Sequence, residues 1–253
     1  MTEPSDPPIP GAIKDTMRQP LPKRFYKQVT AEPRNGAFAV LLDGRPVRTP
    51  KRAFLQVATL PLAEAMTVEW AAQEIEINPA RMPLTRLVNT AIDGVTGREM
   101  AVSAEIVQYA GTDLLCYRVA APAALVERQV KAWDPIIGWA ETWIGGRFIR
   151  AEGIMHVTQP PATLEKLAEK VAGRNAFELS ALHVMTTLTG SALLALAHAE
   201  GVLPVDAAWA AAHIDEDYQI EKWGTDFEVE HRRAVRRRDM EAAGRLLGLL
   251  RAN

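Results

Sequence analysis

The residues with the clearest chemical potential lie in one segment near the C-terminal end of the chain, from His213 to Gly224. Its sequence reads His-Ile-Asp-Glu-Asp-Tyr-Gln-Ile-Glu-Lys-Trp-Gly, which places a histidine, several carboxylates and a tryptophan close together. A histidine and a glutamate three residues apart on a helix can exchange a proton. A carboxylate beside an aromatic ring can instead orient a binding partner. The segment therefore predicts either proton transfer or recognition of another molecule.

Placing residues 205–223 on one helix puts Glu216 in the middle of an otherwise apolar face. A carboxylate there must be paired, must have a raised pKa, or must face something other than the protein's own core. An internal ion pair, with His213 or with an arginine of a neighbouring helix, is the common outcome. The alternative is a partner-binding surface. Its predicted members are Asp215, Glu216, Asp217, Glu221 and Trp223, while the apolar stripe also includes Trp209, Ala212 and Ile220.

The sequence contains no familiar enzyme motif. A phosphate-binding loop, a dinucleotide-binding turn, a serine nucleophile elbow and a two-histidine metal motif are all missing from it. We therefore predict no catalytic residues, no metal, no cofactor and no nucleotide. The single cysteine, Cys116, has apolar neighbours and is expected to be a buried small hydrophobe. The competing hypothesis is a small hydrolase or lyase that uses His213 and Glu216 as a proton-transfer pair, which requires a pocket around both side chains.

Charge composition argues against nucleic-acid binding. The 253 residues include 29 Lys and Arg against 31 Asp and Glu, for a formal net charge of −2. A nucleic-acid-binding domain normally carries a clustered positive excess. Five arginines at 232–238 could form an RNA-binding patch, but acidic residues at 228, 230, 239 and 241 bracket them. A solvated, salt-bridged helix face is the favoured prediction.

One apolar stretch is long enough to raise the question of a membrane span. Residues 179–199 contain no Asp, Glu, Lys or Arg. The same stretch holds two histidines and several threonines, which are costly in hydrocarbon. It is therefore predicted to be a buried helix in a helical domain, without membrane insertion.

The N-terminal segment, residues 1–23, is rich in proline and is expected to form a mobile arm. It lacks the apolar run of a signal peptide and carries acidic residues that transit peptides avoid. With only one cysteine in the chain, a reducing cytoplasm is the expected location.

The remaining pattern predicts an α+β fold. Strands are expected at 25–29, 37–42, 45–49 and 54–57, with hairpin turns at Asn35-Gly36 and Asp43-Gly44. Helices are expected after Pro61, where Leu62, Met66 and Trp70 share one face, and then almost to the C-terminus. We predict a small antiparallel β domain with one helix over 24–77 and a larger all-α domain over 78–253. The later helices are predicted at 83–93, 97–110, 122–143 with a disturbance at Pro135, 163–172, 177–199, 205–223 and 229–250.

Several blocks along residues 24–250 resemble the assembly-chaperone family of the F-type ATP synthase. In order, the blocks lie at 24–27, 42–50, 69–70, 82–87, 89–93, 112–118, 133–135 and 215–224. The resemblance implies a non-enzymatic protein that holds the unassembled α subunit of the catalytic head until it joins β, without ATP. Because the family occurs in bacteria and in mitochondria, the resemblance implies the bacterial cytoplasm, or the mitochondrial matrix only if a transit peptide has been removed. It also implies that the acidic helix around Glu216 contributes to the partner surface, whereas the spacing of Trp70 from Leu62 suggests that Trp70 serves packing.

Overall fold

The computed structural model describes residues 20–153 and 155–251, and it has the predicted α+β architecture. Most of the predicted proline-rich arm, residues 1–19, lies outside the described residues. The last part of that segment joins the fold, because the Ile77 amide donates to the Pro22 carbonyl at 2.8 Å. The strands are β1 (Val29–Arg34), β2 (Ala37–Leu42), β3 (Arg45–Pro46), β4 (Gln56–Val57), β5 (Tyr117–Arg118) and β6 (Ala151–Glu152). The helices are α1 (Leu60–Ala71), α2 (Pro83–Thr90), α3 (Glu99–Ala110), α4 (Ala123–Ile144), α5 (Pro161–Val171), α6 (Ala176–Thr189), α7 (Ala192–Ala199), α8 (Val205–Ala212), α9 (Ile214–Trp223) and α10 (Phe227–Arg251).

The N-terminal sheet is antiparallel, with β2 paired to β1 on one side and to β3 and β4 on the other. Both predicted hairpin turns are confirmed. Asn35 and Gly36 adopt φ values of 52° and 78°, and Asp43 and Gly44 adopt 47° and 76°. These left-handed conformations match the right-handed twist of the strands they join. The first predicted strand is wrong in position, because the observed strand begins only at Val29.

Residues before β1 turn toward α1 rather than joining the sheet. Phe25 is exposed, whereas Tyr26 is buried against Trp70 with ring centroids 5.9 Å apart. The Tyr26 hydroxyl donates to the Trp70 carbonyl at 2.7 Å. Trp70 therefore serves packing, as predicted.

The helical region is built around α6, which contacts α2, α3, α7, α8 and α10. Two predicted long helices are each divided in two. The helix predicted at 177–199 breaks at Gly190, whose φ of +67° ends α6, and the Ser191 hydroxyl accepts the Leu194 amide to begin α7. The helix predicted at 205–223 breaks at His213. By contrast, α4 runs uninterrupted through Pro135.

A continuous cluster of buried apolar residues extends from the sheet into the helices. It includes Leu42 of β2, Met66 of α1 and Leu193 of α7. Members therefore come from both sides of residue 77, and the division of the chain into two domains stays a prediction. The apolar stretch 179–199 lies in this core, as predicted. Within residues 20–153 and 155–251, no helix is long and apolar enough to cross a membrane.

A buried carboxylate joins the start of α7 to the turn before β5. Asp113 is fully buried, and its two oxygens accept the amides of Leu115 at 3.1 Å and Leu193 at 3.0 Å. Burial raises the pKa of Asp113 to about 6 despite these donors. The folded protein therefore holds the Asp113 proton more tightly than the unfolded chain does.

This raised pKa predicts a specific pH dependence. Relative to a side chain that does not titrate, Asp113 stabilises the fold most below about pH 4, and the benefit is lost as pH rises through about 6. The free energy of unfolding of the wild type minus that of Asp113→Asn should fall by about 2 kcal/mol between pH 4.5 and pH 7.5. Urea unfolding at several pH values measures this difference, with exposed Asp206→Asn as the control. A difference that grows with pH would mean that the amide donors outweigh burial.

Candidate functional site

The acidic segment forms α9, whose start is set by His213. The His213 ring stacks on Trp209 with centroids 3.8 Å apart, and both residues are buried. His213 Nδ1 lies 2.8 Å from the Trp209 carbonyl oxygen, and because a carbonyl only accepts, Nδ1 carries the hydrogen. The single apolar stripe predicted for 205–223 is therefore wrong. Trp209 belongs to the core, whereas Trp223, at the other end of that stripe, is 74% exposed.

Contacts with α4 hold one side of α9 in place. The Arg128 guanidinium donates to both Glu221 oxygens, at 2.7 and 2.8 Å, and lies 5.3 Å from the ring centre of buried Tyr218. The Gln129 amide donates to Asp215 at 2.7 Å. Two of the predicted site residues, Asp215 and Glu221, therefore have partners within the protein.

Glu216 is the least satisfied carboxylate of the predicted site. Arg233 of α10 pairs with Asp217, and its other terminal nitrogen stays 3.7 Å from Glu216 Oε2. His213 Nε2 is 3.8 Å from the same oxygen. Among the described residues, no donor reaches hydrogen-bond distance of Glu216, and 34% of its side chain is exposed. His213 and Arg233 lie where the predicted partners of Glu216, a histidine or an arginine, were expected. Both contacts are longer than a hydrogen bond.

The geometry gives no support to proton exchange between His213 and Glu216. Burial lowers the pKa of His213, so its imidazole is neutral at pH 7. Because Nδ1 carries the hydrogen and donates it to the Trp209 carbonyl, the Nε2 that faces Glu216 has no hydrogen to pass to that side chain. Two surface grooves lie beside α9, and His213 lines neither of them.

Those two grooves make α9 a ridge. The α4 groove, of about 680 Å³, lies between α4, α8 and α9, and the α10 groove, of about 530 Å³, lies on the side of α10. Asp217 and Glu221 line the first groove, whereas Glu216 and Trp223 line the second. The α4 groove has an apolar floor that includes Ala132, Ile136, Ala211 and Ile214. The α10 groove is lined by Glu216, Gln219, Ile220, Trp223, Asp226 and Val229, with the linking turn 224–225.

Large aromatic side chains are exposed at the end of this ridge. Trp223 closes α9, Gly224 turns the chain at φ +78°, and Phe227 begins α10 with 81% of its surface exposed. Exposed apolar side chains grouped beside a polar groove are typical of interaction surfaces. The ridge thus offers an apolar anchor next to a carboxylate, as the partner-binding hypothesis requires.

The arginine cluster and Cys116, the other candidate functional residues, make contacts within the protein or lie in its core. Arg232, Arg233 and Arg237 form ion pairs with acidic residues, which confirms the predicted salt-bridged face. Cys116 is buried, and burial raises the pKa of its thiol to about 12, as expected for an unreactive core cysteine. The part of the chain that the structure describes contains no group of three His, Cys, Asp or Glu residues that could hold a metal ion.

Sequence reasoning located α9 but missed the residues that surround it. Arg128 and Gln129 lie far away in sequence, and nothing in their local pattern pairs them with α9. Phe227 could have been found, because it is a lone aromatic residue at the start of a highly charged helix.

The class of protein follows from comparisons with known proteins. A family model described as ATP12 chaperone protein matches residues 23–141. The mitochondrial protein atp12 of Schizosaccharomyces pombe is 24% identical over 219 residues, which cover 82% of this chain and 75% of that protein. These matches indicate an assembly chaperone.

Two solved structures are similar to this chain over most of its length. The Atu1473 protein of Agrobacterium tumefaciens is 48% identical, with a TM-score of 0.88, covering 93% of this chain and 88% of that one. Atp12 from Paracoccus denitrificans is 42% identical, with a TM-score of 0.84, covering 91% and 99% respectively. The chain belongs to the ATP12 chaperone family, the assembly-chaperone family of the F-type ATP synthase that its sequence blocks resemble.

Proposed function

We propose that this protein binds the unassembled α subunit of the F-type ATP synthase catalytic head and covers its inter-subunit surface until α joins β. Binding requires no ATP, cofactor or catalytic step. The relatives come from bacteria and from a mitochondrion, which fits a protein that acts at the place of synthase assembly. For this chain we propose that this place is the bacterial cytoplasm.

The observation that carries the proposal is the exposed end of the α9 ridge. Trp223 and Phe227 leave most of their surface in solvent, and Glu216, which lines the same groove as Trp223, has no close internal donor. Covering an exposed aromatic residue and pairing a partly exposed carboxylate both favour association. A chaperone also needs a surface that the true partner can displace, and a small apolar anchor with a charged neighbour meets that need.

We assign the contact surface to Glu216 and Trp223 at its centre, with Asp215, Asp217 and Glu221 around them. The surrounding three carboxylates are each bonded within the protein, to Gln129, Arg233 and Arg128 respectively. They therefore shape the ridge and its negative field more than they supply free pairing groups. Glu216 and Trp223 are the two that remain available to a partner.

A pull-down with purified subunits tests the proposal. The immobilised wild-type protein is incubated separately with isolated α, isolated β and the assembled catalytic head, without nucleotide and then with ATP. We expect retention of α alone, unchanged by ATP. Failure to retain α, or equal retention of the assembled head, would refute the function.

A further inference from the structure

The α10 groove combines negative charge with apolar walls. Glu216 and Asp226 contribute carboxylates, and Ile220, Trp223 and Val229 contribute apolar surface. No lysine or arginine is among the described residues that line it. The groove therefore attracts a positive group that also carries apolar surface.

The nearby arginines make their close contacts with other carboxylates. Arg233 pairs with Asp217 and keeps its other terminal nitrogen 3.7 Å from Glu216 Oε2, beyond hydrogen-bond distance, and Arg128 pairs with Glu221 on the opposite side of α9. Asp226 Oδ1 accepts the Val229 amide at 2.9 Å to cap α10, whereas its Oδ2 has no donor within hydrogen-bond distance among the described residues. Both carboxylates of the groove thus retain capacity to accept hydrogen bonds from a ligand.

We propose that an arginine side chain of the client protein occupies the α10 groove. Its guanidinium pairs with Glu216 and stacks on the exposed indole of Trp223, and its aliphatic stem lies along Ile220 and Val229. An apolar residue next to that arginine in the client sequence covers Phe227. This inference rests on the proposed function, in which the client is the α subunit.

Arginine fits the groove better than other occupants do. Its planar guanidinium stacks on an aromatic face and donates to a carboxylate through a rigid fork. A lysine ammonium is a compact, strongly hydrated charge that does not match the flat indole. A purely apolar segment would cover Glu216 without pairing it, and burying an unpaired carboxylate is costly.

Photocrosslinking identifies the occupant. Gln219 is exposed and lines the groove, so it is replaced by the photoreactive residue p-benzoylphenylalanine, and the variant is irradiated with purified α. Mass spectrometry then locates the captured segment. We expect a segment with an arginine beside an apolar residue. A captured segment with a lysine in that place, or without a basic residue, would overturn the proposal.

A double-mutant cycle tests the pairing. We expect Glu216→Gln to weaken α binding about tenfold, and replacement of the captured arginine by glutamine to weaken wild-type binding equally. With both changes together, the loss should remain about tenfold, because the same pair is removed. Additive losses would overturn the pairing.

Matched variants separate this inference from the proposed function. Trp223→Ala should also weaken binding, whereas Glu230→Gln on exposed α10 surface outside the groove should not. If the wild type retains α and none of the groove variants weakens it, the arginine assignment fails while the function stands. If the wild type never retains α, the function itself fails.

Discussion

Glu216→Lys should weaken binding of the α subunit at least hundredfold while the protein stays folded. The change removes the carboxylate that we assign to the partner contact and places a cation there instead. A lost charge pair combined with like-charge repulsion amounts to about 3 kcal/mol, which corresponds to roughly a hundredfold in affinity. The fold should tolerate it, because the internal contacts of Glu216 are long, at 3.7 and 3.8 Å, and 34% of its side chain is exposed.

Isothermal titration calorimetry with purified α measures the affinity, and thermal unfolding checks the fold. Glu64→Lys provides the matched control, since Glu64 is an exposed glutamate of α1 with the same charge reversal. We expect the control to bind α normally. Normal binding by Glu216→Lys would contradict the site assignment.

Trp133→Ala should cause a large loss of stability. Trp133 is fully buried in α4, its indole N–H donates to the Ala211 carbonyl at 2.7 Å, and Arg118 lies over its ring at 5.0 Å. Removing a buried tryptophan costs about 3–5 kcal/mol, which should lower the melting temperature by about 10 °C for a protein of this size. Because Ala211 lies at the end of α8, just before α9, the substitution should also weaken α binding.

Urea unfolding and calorimetry together check this result. Trp133→Phe is the control, because it keeps an aromatic ring in the core and loses the indole N–H with part of the ring volume, for about 1–2 kcal/mol. We expect the phenylalanine variant to bind α more tightly than the alanine variant. Equal stability of the wild type and Trp133→Ala would show that Trp133 does not hold α8 against α4.

The sequence predicts the fold well where local rules are strong. Turns such as Asn35-Gly36 demand left-handed backbone, and proline at the start of α1 fits the first helical turn. The predictions fail at helix breaks. Gly190 and His213 interrupt patterns that remain apolar on both sides, so periodicity alone did not reveal them. At His213, the ring stacks on Trp209 four residues earlier and its Nδ1–H bonds to the Trp209 carbonyl, a local contact that apolar periodicity does not reveal.

The site was predictable in location but not in detail. An acidic helix carrying Glu216 and Trp223 could be read from spacing, whereas the two grooves depend on α4 and α10 packing beside it. Which carboxylate stays available also depends on distant residues. Asp215 and Glu221 are bonded by Gln129 and Arg128 of α4, about 90 positions earlier in the chain.

Other acidic residues in the blocks that carry the family resemblance have internal roles. Glu69 accepts the amides of Leu84 and Thr85 at the start of α2, at 2.8 and 2.7 Å. Asp93 accepts the Thr49 hydroxyl at 2.6 Å. These carboxylates build the scaffold, and Glu216 differs from them because it has no such donor among the described residues.

The most direct test of the account is a competition experiment. The complex of this protein with α is formed without nucleotide, purified β is added, and native mass spectrometry follows the species. The account predicts that β displaces the protein, so that α–β assemblies and free protein appear together. A stable ternary complex of the protein with α and β, or no complex with α at the start, would contradict the claim that it protects α until assembly.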